Sequence, residues 1–471
     1  MSEHPPLHGP PLHGPEPART LMEVARTVTL QPLPVGDRRY VDLSSGAGTD
    51  DLELLRQKLR DAASGAALDE TGSNFLKMLI SSHRGCGKTT ELLRIECEVS
   101  DQFTSLHLGL DESLRDEFDY TLFCVWLTEE LADQFFKAGM PLPPEEVALI
   151  DQWFEEKIVT DKTTRQSSLA VEAEVEGKVG GGLLGGSLNF LSRFKASLRG
   201  DRARQVETKS LLRRFSRDLM DRMNQLFATA SQTLRRHGRP DRLLIVQDNL
   251  DRLSRETAIE FFLTNGEILR DLQAHMIFTP PNAITLANKK IQNNFDESYV
   301  LPMVKLRSVE GEAYDPGWAV LRAVVAKRAD ISVFESPEQV ERLIALSGGS
   351  VRDLIRLLSR AALRARAKKR ADIAADDVEN ALGMMRDEFE TGLLPSQRYF
   401  SWLADIHLRR QDCLGGDEWR TDQRFADLVL MGAVFAYKNS KNWYDVHPAI
   451  LESWLFADAV KKAAAAAKTD D

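Results

Sequence analysis

The chain has 471 residues, of which 43% are hydrophobic, and its formal net charge at pH 7 is −10. This length allows two to four domains with sizeable cores. The acidic balance argues against a protein that coats nucleic acid non-specifically, although it leaves room for a local basic patch. The four cysteines have neither metal-ligand nor disulfide spacing, and no segment resembles a signal peptide or a membrane span, so we expect a cytoplasmic protein without a membrane partner.

The first 49 residues contain the Pro- and Gly-rich repeat "PPLHGPPLHGPEP", which predicts a disordered tail followed by a lead-in to the folded part. Apolar residues at helical spacing after an acidic start predict a helix over Asp50–Gly65. Short apolar runs at Asn74–Ser81 and Phe103–Leu110 predict buried strands. Long helical patterns follow, among them "YTLFCVWLTEELADQFF".

Residues 160–205 are polar, then Gly-rich, then basic, which predicts a flexible insertion. A long helix is predicted from Val206 to His237. Further buried strands are predicted over Leu243–Asp248, His275–Pro280 and Tyr299–Val304. Because these strands alternate with helices, residues 50–309 are expected to form an α/β core with a parallel sheet.

After residue 309 the pattern changes to helices alone, which predicts an all-helical lid over residues 310–392. The stretch "YFSWLADIHLRR" predicts a helix, and two apolar-aromatic strands are predicted around the turn "NSKN". A helix followed by such a hairpin suggests a winged-helix domain over residues 393–460. Residues 461–471 are expected to form a fraying tail.

The first candidate site is "SHRGCGKTT", which follows the strand at Asn74–Ser81 and precedes a helical pattern. A strand, a Gly-rich turn, a lysine, a threonine and a helix form the context of a phosphate-binding loop. Glycines let backbone N–H groups face phosphate oxygens, Lys88 supplies a point charge and the Thr89 hydroxyl is a magnesium ligand. The cofactor ATP is therefore expected at Ser82, His83, Arg84, Gly85, Cys86, Gly87, Lys88, Thr89 and Thr90. Such loops normally begin with glycine, where this chain has Ser82.

The second candidate site is "LLIVQDNLDRL", an apolar strand that ends at Asp248. Beside the loop strand, this carboxylate would hold Mg²⁺ together with Thr89. Hydrolysis also needs a group that polarises the attacking water, and the usual position is occupied by Asn249, which cannot take a proton. Asp251 is the nearest carboxylate, with a helix cap as its alternative role. Arg252 would pair with Asp251 or reach phosphate.

Two further groups have expected positions near the nucleotide. Thr279 ends a strand and would touch the γ-phosphate or the water, or else cap the backbone before Pro280; Asn282 is the second choice. Arg352 lies in the first turn of the helix in "SGGSVRDLIRLL", where a cation opposes the helix dipole. An anionic nucleotide would explain it, and a surface ion pair is the alternative.

These motifs resemble the AAA+ branch of P-loop ATPases. The helical lid followed by a winged helix resembles origin-recognition-type AAA+ proteins and STAND regulators, and "LLIVQDNLDRL" resembles the corresponding strand of KAP and STAND NTPases. The resemblance implies that Thr279 and Arg352 are the two nucleotide sensors. It also implies that Arg328 is a lid arginine near the nucleotide or near a neighbouring subunit of a homo-oligomer.

Two functions follow from different classes. The first is an ATP-dependent regulatory switch that acts through a partner protein, which by resemblance would belong to bacterial defence or signalling. The second is a loader or initiator that binds duplex DNA through the winged helix. The basic residues available for DNA, which could equally form solvated faces, are Arg193, Lys195, Arg199, Arg202 and Arg204 in the insertion and Arg364, Arg366, Lys368, Lys369 and Arg370 in the lid. A structural binder that does not hydrolyse ATP stays possible because of Asn249.

Overall fold

The computed structural model describes most of the chain. The described residues are 14–65, 75–110, 118–150, 214–287, 294–394, 398–410, 422–439 and 442–467, together with Glu112, Arg115, Gln152, Trp153 and Ile291. The expected insertion at residues 160–205 and the histidine-containing repeat up to residue 13 lie outside them.

A five-stranded sheet forms the centre of the α/β core. Its strands are β1 (Lys77–Ser82), β2 (Phe103–Gly109), β3 (Arg242–Asp248), β4 (His275–Phe278) and β5 (Glu297–Leu301). The spatial order is β2-β3-β4-β1-β5, and each neighbouring pair is parallel. This confirms the predicted α/β class. Strand β5 ends earlier than expected because Pro302 has no N–H with which to continue the ladder.

Helices cover both faces of this sheet and build the regions beyond it. A further helical stretch covers residues 144–150. In chain order the helices are α1 (Leu21–Thr27), α2 (Ser44–Ala47), α3 (Asp51–Ser64), α4 (Lys88–Glu98), α5 (Tyr120–Lys137), α6 (Ser216–Arg236), α7 (Arg255–Ile259), α8 (Gly266–Arg270), α9 (Asn282–Ala287), α10 (Asp315–Ala326), α11 (Pro337–Ser347), α12 (Val351–Ala367), α13 (Ala375–Leu393), α14 (Arg398–Arg409), α15 (Gln423–Leu430), α16 (Pro448–Leu451) and α17 (Trp454–Ala467).

The two faces of the sheet follow the period of two along the strands. In β1, Met78 and Ile80 pack with apolar residues of α3 and α4, whereas Leu79 packs with those of α5 and α6. In β3, Leu244 and Val246 face the first layer, and their sequence neighbours face the second. Both faces are covered by helices, which explains why these strands read as continuous apolar runs.

Four helices, α10 to α13, occupy the region for which the sequence predicts a lid, and they share an apolar core with one helix from the N-terminal region. The apolar stripe of α12 is buried as expected, except that Val351 at its start is only partly buried. The N-cap Ser350 accepts a hydrogen bond from the Asp353 N–H at 3.2 Å. Helix α1 contributes Leu21 and Val24 to the same core, so a segment that the sequence assigned to the lead-in is part of the lid.

The last described region contains helices α14 to α17 and a two-stranded hairpin. Strands β6 (Val434–Lys438) and β7 (Asn442–Val446) pair antiparallel, as predicted around the turn "NSKN". The hairpin and its helices share a core of their own with residues of α9. Among the described residues, no helix is long and apolar enough to cross a membrane.

Candidate functional site

The Gly-rich turn between β1 and α4 bends sharply at two glycines. Gly85 and Gly87 have φ of +94° and +88°, in the left-handed region that favours glycine. A Cβ atom at Gly85 would lie 2.2 Å from Cβ of Arg352, so the turn packs directly against the first turn of α12. The backbone N–H of Arg352 donates to the Gly85 carbonyl at 3.3 Å. The structure thus brings Arg352 to the loop, and Arg352 makes no ion pair with any described residue.

Lys88 begins α4 and is held by a carboxylate from beyond β3. Its Nζ donates to Asp251 Oδ2 at 2.9 Å and lies 3.9 Å from Asp248 Oδ1. Burial alone would raise the pKa of Asp251, but the nearby Lys88, Arg84 and Arg252 outweigh it and hold the pKa below its ordinary value. Asp251 is therefore a carboxylate at neutral pH. Its Oδ1 is buried and has no hydrogen-bond donor among the described residues.

Asp248 is the point at which three predicted site residues meet. Its Oδ2 accepts a hydrogen bond from the Thr89 hydroxyl at 2.5 Å, and its Oδ1 accepts one from the Thr279 hydroxyl at 3.3 Å. The backbone N–H of Asn249 also donates to Oδ1, at 2.7 Å. Thr279 therefore bonds to the carboxylate as well as to the Gln247 carbonyl. A hydroxyl and a carboxylate in contact are oxygen ligands of the kind Mg²⁺ takes alongside water and phosphate.

A histidine and a glutamate lie behind Asp248 and were not anticipated from the sequence. His107 in β2 bonds through Nδ1 to Glu96 Oε1 at 2.5 Å, and its Nε2 is 3.9 Å from Asp248 Oδ2. Burial would lower the pKa of His107, but Glu96 and Asp248 outweigh it and raise the pKa. The only signal in the sequence was a polar residue inside an apolar strand.

Asn249 follows Asp248, the metal-binding candidate, and has a strained backbone conformation. Its φ is +64°, and its side-chain amide lies beside Gly109, where an added Cβ would be 3.1 Å from Nδ2. Asn249 lines the same cleft as Lys88 and Asp251. An amide there can orient water but cannot accept its proton. Asn282 is also buried, but its amide has no partner among the described residues and does not line the cleft.

Lys88, Thr89, Asn249, Asp251 and Arg352 line one cleft with a volume of about 660 Å³, whereas Asp248 and Thr279 are not among its lining residues. A pocket of several hundred Å³ is the size that small-molecule cofactors occupy, so the space and the charges fit a nucleotide. One wall consists of the Gly-rich turn, and another consists of lid residues that include Val324, Ile355 and Arg352. A third wall is the segment at residues 29–43, here called the strap, which sequence reasoning missed.

The strap crosses α4 and is fixed to it at two points. The Leu33 N–H donates to the Thr90 hydroxyl oxygen at 3.1 Å, so the Thr90 hydroxyl holds the strap against α4. The Arg94 guanidinium lies over the Tyr40 ring, 3.9 Å from its centroid. Burial raises the pKa of Tyr40, with Glu91 adding to the effect. The strap has no apolar period, so its position could not be predicted from its residues.

The lid arginine is enclosed by the strap. Arg328 is buried, and its Nη1 donates to the carbonyls of Arg39 at 3.1 Å and Val324 at 3.0 Å. Burial lowers the pKa of Arg328 to about 10. Arg39 in turn bonds to Asp37, with Nη2 at 2.6 Å from Oδ2. Arg328 lines the cleft of its own chain.

Two loop residues turn their side chains away from the cleft. The buried His83 ring accepts a hydrogen bond at Nε2 from the Ala436 N–H of β6 at 2.7 Å, and burial lowers its pKa to about 4, so the ring is neutral. Cys86 packs with Met303, with sulfur atoms 3.5 Å apart, and joins a cluster with aromatic residues of the hairpin. Burial raises the pKa of Cys86 to about 12, which keeps it a thiol. Ser82 donates its hydroxyl to the His83 carbonyl at 3.0 Å.

No family model matches the chain, and no curated protein sequence matches it. Solved structures resemble it over most of its length. Cdc6p from Pyrobaculum aerophilum is 14% identical over 90% of this chain and 98% of its own, with a TM-score of 0.37. The Walker-type ATPase PABY2304 of Pyrococcus abyssi is 13% identical over 92% and 99%, with a TM-score of 0.43. RuvB of Thermotoga maritima is 12% identical over 86% and 95%, with a TM-score of 0.35. These names agree with the resemblance seen in the sequence, but similarities this low carry no argument about activity or residues.

Proposed function

We propose that this chain is an ATP-binding and slowly hydrolysing regulatory switch that acts through a partner protein. The observation that carries the proposal is the division of the Gly-rich turn. Lys88 faces the cleft from one side of it, and His83 is hydrogen-bonded to β6 of the C-terminal region on the other. A ligand that moves the turn therefore also acts on the hairpin.

In this proposal each cleft residue has a distinct task. Lys88 exchanges part of its contact with Asp251 for phosphate oxygens, and backbone N–H groups of the turn face the same oxygens. Thr89 and Asp248 hold Mg²⁺, which supplies neutralising charge on the phosphates when bound. Thr279 and Arg352 respond to the γ-phosphate, one from the sheet and one from the lid.

Slow turnover follows from the residues after β3. Asn249 cannot act as a base, so Asp251 is assigned to orient the attacking water. Its free Oδ1 is available to accept a hydrogen bond, while its Oδ2 contacts Lys88. A carboxylate that also balances a lysine is a weaker base, because the charge of Lys88 lowers its pKa. We therefore expect hydrolysis at the slow end of ATPases.

The C-terminal region contacts several elements that carry the cleft. Besides the His83 bond, the Tyr437 hydroxyl donates to the Gly348 carbonyl just before α12, at 2.7 Å. Arg255 of α7 donates to Gln423 of α15 at 3.1 Å. Ala283 of α9, which follows the strand of Thr279, is in the apolar core of the C-terminal region. Through these contacts, a structural change at the turn, at the lid or beyond β4 can reach the C-terminal region.

The primary test is ATP binding by Lys88→Ala. Removal of a buried, charge-assisted contact costs about 2–3 kcal/mol, or roughly 100-fold in affinity, and calorimetry should show binding close to undetectable. Lys137→Ala is the matched control, because Lys137 is an exposed lysine that pairs with Asp133 in α5. Wild-type affinity in Lys88→Ala would contradict the assignment of the cleft.

A DNA-binding loader or initiator is the second candidate. The hairpin that follows two helices, an arrangement typical of a winged helix, favours it. The lid basic run speaks against it, because Lys368 and Arg370 are paired with Asp376 and Asp377. Lys438 of the hairpin is bonded to Asp51 at 2.6 Å. The basic run in residues 193–204 lies outside the described residues.

Steady-state ATP turnover with and without duplex DNA separates the two candidates. A switch that awaits a protein partner turns over slowly and is indifferent to DNA. A loader is stimulated by DNA, and its DNA affinity falls steeply with salt because phosphate contacts release counterions.

The proposal of a regulatory switch assigns residues 50–309 to the core, 310–392 to the lid and 393–460 to a winged-helix domain, and it places the protein in the cytoplasm. On the family resemblance alone, it extends to bacterial defence or signalling.

A further inference from the structure

A loop arginine lies at the same end of the cleft as Lys88. Arg84 directly precedes Gly85, and its Nη2 lies 3.4 Å from the backbone carbonyl oxygen of Asp251. The carboxylate of that same aspartate contacts Lys88 Nζ at 2.9 Å. Arg84, Lys88 and Asp251 all line the cleft. The guanidinium of Arg84 and the ammonium group of Lys88 therefore contact the same residue, Asp251. The ammonium group marks the expected position of the terminal phosphates.

The positive charge around Arg84 is only partly balanced by the protein. Arg252 and Arg115 line the cleft too, and both approach Glu112, at 3.7 and 2.7 Å. Arg84 makes no ion pair with a carboxylate of any described residue. The pKa of Arg84 is lowered, first by burial and then by Arg252, Arg352 and Arg115, against the opposing effect of Asp251. A cleft lined by more cations than carboxylates is suited to a polyanion.

The lid does not offer an arginine that could act in the cleft of a neighbouring copy. Arg328 is buried and bonded to two backbone carbonyls, so its guanidinium is not available to the cleft of a neighbouring copy. In P-loop NTPases an arginine that stabilises the charge of the transferring phosphoryl group accelerates hydrolysis, and it comes either from the same chain or from a second one. Here the arginines near Lys88, Arg84 and Arg252, belong to the same chain as Lys88.

We infer that Arg84, with Arg252 beside it, supplies the transition-state charge for ATP hydrolysis within a single chain, so that the site is complete without a second copy. This inference rests on the proposed ATPase function. The water oxygen forms a bond to the γ-phosphorus while the bond to the β–γ bridging oxygen breaks. The proton of the water passes towards Asp251 and leaves with inorganic phosphate. Negative charge grows on the bridging and γ-phosphate oxygens, where a guanidinium fork can donate two hydrogen bonds.

The first experiment measures ATP turnover of wild type, Arg84→Ala, Arg84→Lys and the control Arg235→Ala over a 100-fold range of protein concentration. Arg235 is an exposed residue that pairs with Asp241 away from the cleft. Turnover per chain should not depend on concentration. Arg84→Ala should lose at least about 100-fold in kcat with little change in KM, and Arg84→Lys should not recover it, because an ammonium group lacks the planar fork.

Mixing identifies which chain donates the arginine. Lys88→Ala protein retains Arg84 but should not bind ATP, so adding it to Arg84→Ala restores turnover only if the arginine acts across two chains. Restored turnover, or turnover per chain that rises with concentration, would overturn the inference. A higher KM with unchanged kcat would also overturn it, because Arg84 would then bind the ground state alone.

A binding readout decides the case even if turnover is too slow to measure. Affinities for Mg²⁺–ADP with and without aluminium fluoride, which mimics the transferring phosphoryl group, are measured for wild type and Arg84→Ala. The substitution should weaken the fluoride complex at least 10-fold more than ADP alone, and equal weakening would overturn the inference. Unchanged ATP affinity in Lys88→Ala is a separate result, which would reject the proposed function itself.

Discussion

The two sides of the Gly-rich turn differ in almost every physical respect. The cleft side carries Lys88 and Arg84, with charges balanced partly by Asp251 and with polar atoms left unpaired. The rear side carries His83 and Cys86, which are neutral, buried and packed against aromatic residues of the hairpin. The cleft side is thus suited to exchange partners, whereas the rear side is fixed.

This difference shows how a short segment can belong to a ligand site and to a domain interface at once. Interfaces that are densely packed do not deform gradually, and so a shift at one side appears as a change of packing on the other. Substitutions on the rear side should therefore alter stability first, and those on the cleft side should alter chemistry first.

The largest expected effect is on the rear side, at Trp443. Its indole is 1% exposed and stacks on Tyr437 with ring centroids 4.4 Å apart. Trp443→Ala should lower the free energy of unfolding by about 3–5 kcal/mol, because it leaves a cavity beside the turn. Urea unfolding followed by circular dichroism measures this. ATP affinity should fall by much less than in Lys88→Ala.

The matched control is Trp454→Ala, since Trp454 is 71% exposed. Its effect on unfolding should stay within about 0.5 kcal/mol. Equal destabilisation by both substitutions would contradict the view that the hairpin is tightly packed on the turn. Loss of ATP binding in Trp443→Ala to the level of Lys88→Ala would erase the distinction between the two sides.

The next effect is on the cleft side, at Asp251. Asp251→Asn keeps the shape of the side chain and removes its basicity, so kcat should fall roughly 100-fold while ATP affinity changes only a few-fold. Steady-state turnover and calorimetry separate the two quantities. Asp241→Asn, at an exposed ion pair with Arg235, serves as the control. Equal losses in kcat and in affinity would limit Asp251 to holding Lys88 in position.

The smallest effect concerns pH and belongs to His83. Burial lowers its pKa to about 4 in the folded protein, so between the ordinary value of about 6.5 and 4 the unfolded chain binds a proton that the folded chain does not. Stability is thus fully present above pH 6.5 and falls as the pH drops towards 4. His83→Gln, whose amide can still accept from the Ala436 N–H, should make this fall shallower by up to about 1.4 kcal/mol per pH unit.

Urea unfolding at pH 7, 6 and 5 compares the two slopes. The buried His275, whose pKa is also lowered by burial, is present in both proteins and does not affect the difference. Identical slopes would show that the ring of His83 is protonated as easily in the folded protein as in the unfolded chain.

Local signals were enough to predict much of the fold. Apolar runs bounded by turn residues identified the strands that end at Ser82 and Asp248, and the stripe of α12 was readable from its period. The contact between Thr89 and Asp248 was expected, because parallel strands end at the same edge of a sheet. The expectation that β3 lies directly beside β1 was wrong, since β4 lies between them, and the bond from Thr279 to Asp248 was not predicted. These features depend on neighbours in sequence or on a general rule of topology.

The rest depends on contacts between distant segments. The strap has no apolar period, so its contacts with Thr90 and Arg94 could not be read from its residues. Within the turn, His83 and Cys86 face away from the side of Arg84 and Lys88, and nothing in "SHRGCGKTT" shows that His83 bonds to a strand more than 300 residues later. The pairing of Asp251 with Lys88 likewise needed coordinates.

Helix α1 has a consequence for how the chain matures on the ribosome. Its apolar residues Leu21 and Val24 pack with Leu321 and Leu358 of the lid, roughly 300 residues later in the sequence. At a synthesis rate of about 5–20 residues per second, α1 would wait roughly 15–60 s for its partners. During that interval the apolar face of α1 is not buried against the lid, and we expect nascent-chain chaperones to bind it. Completion of the lid then provides the partners that bury the apolar face of α1.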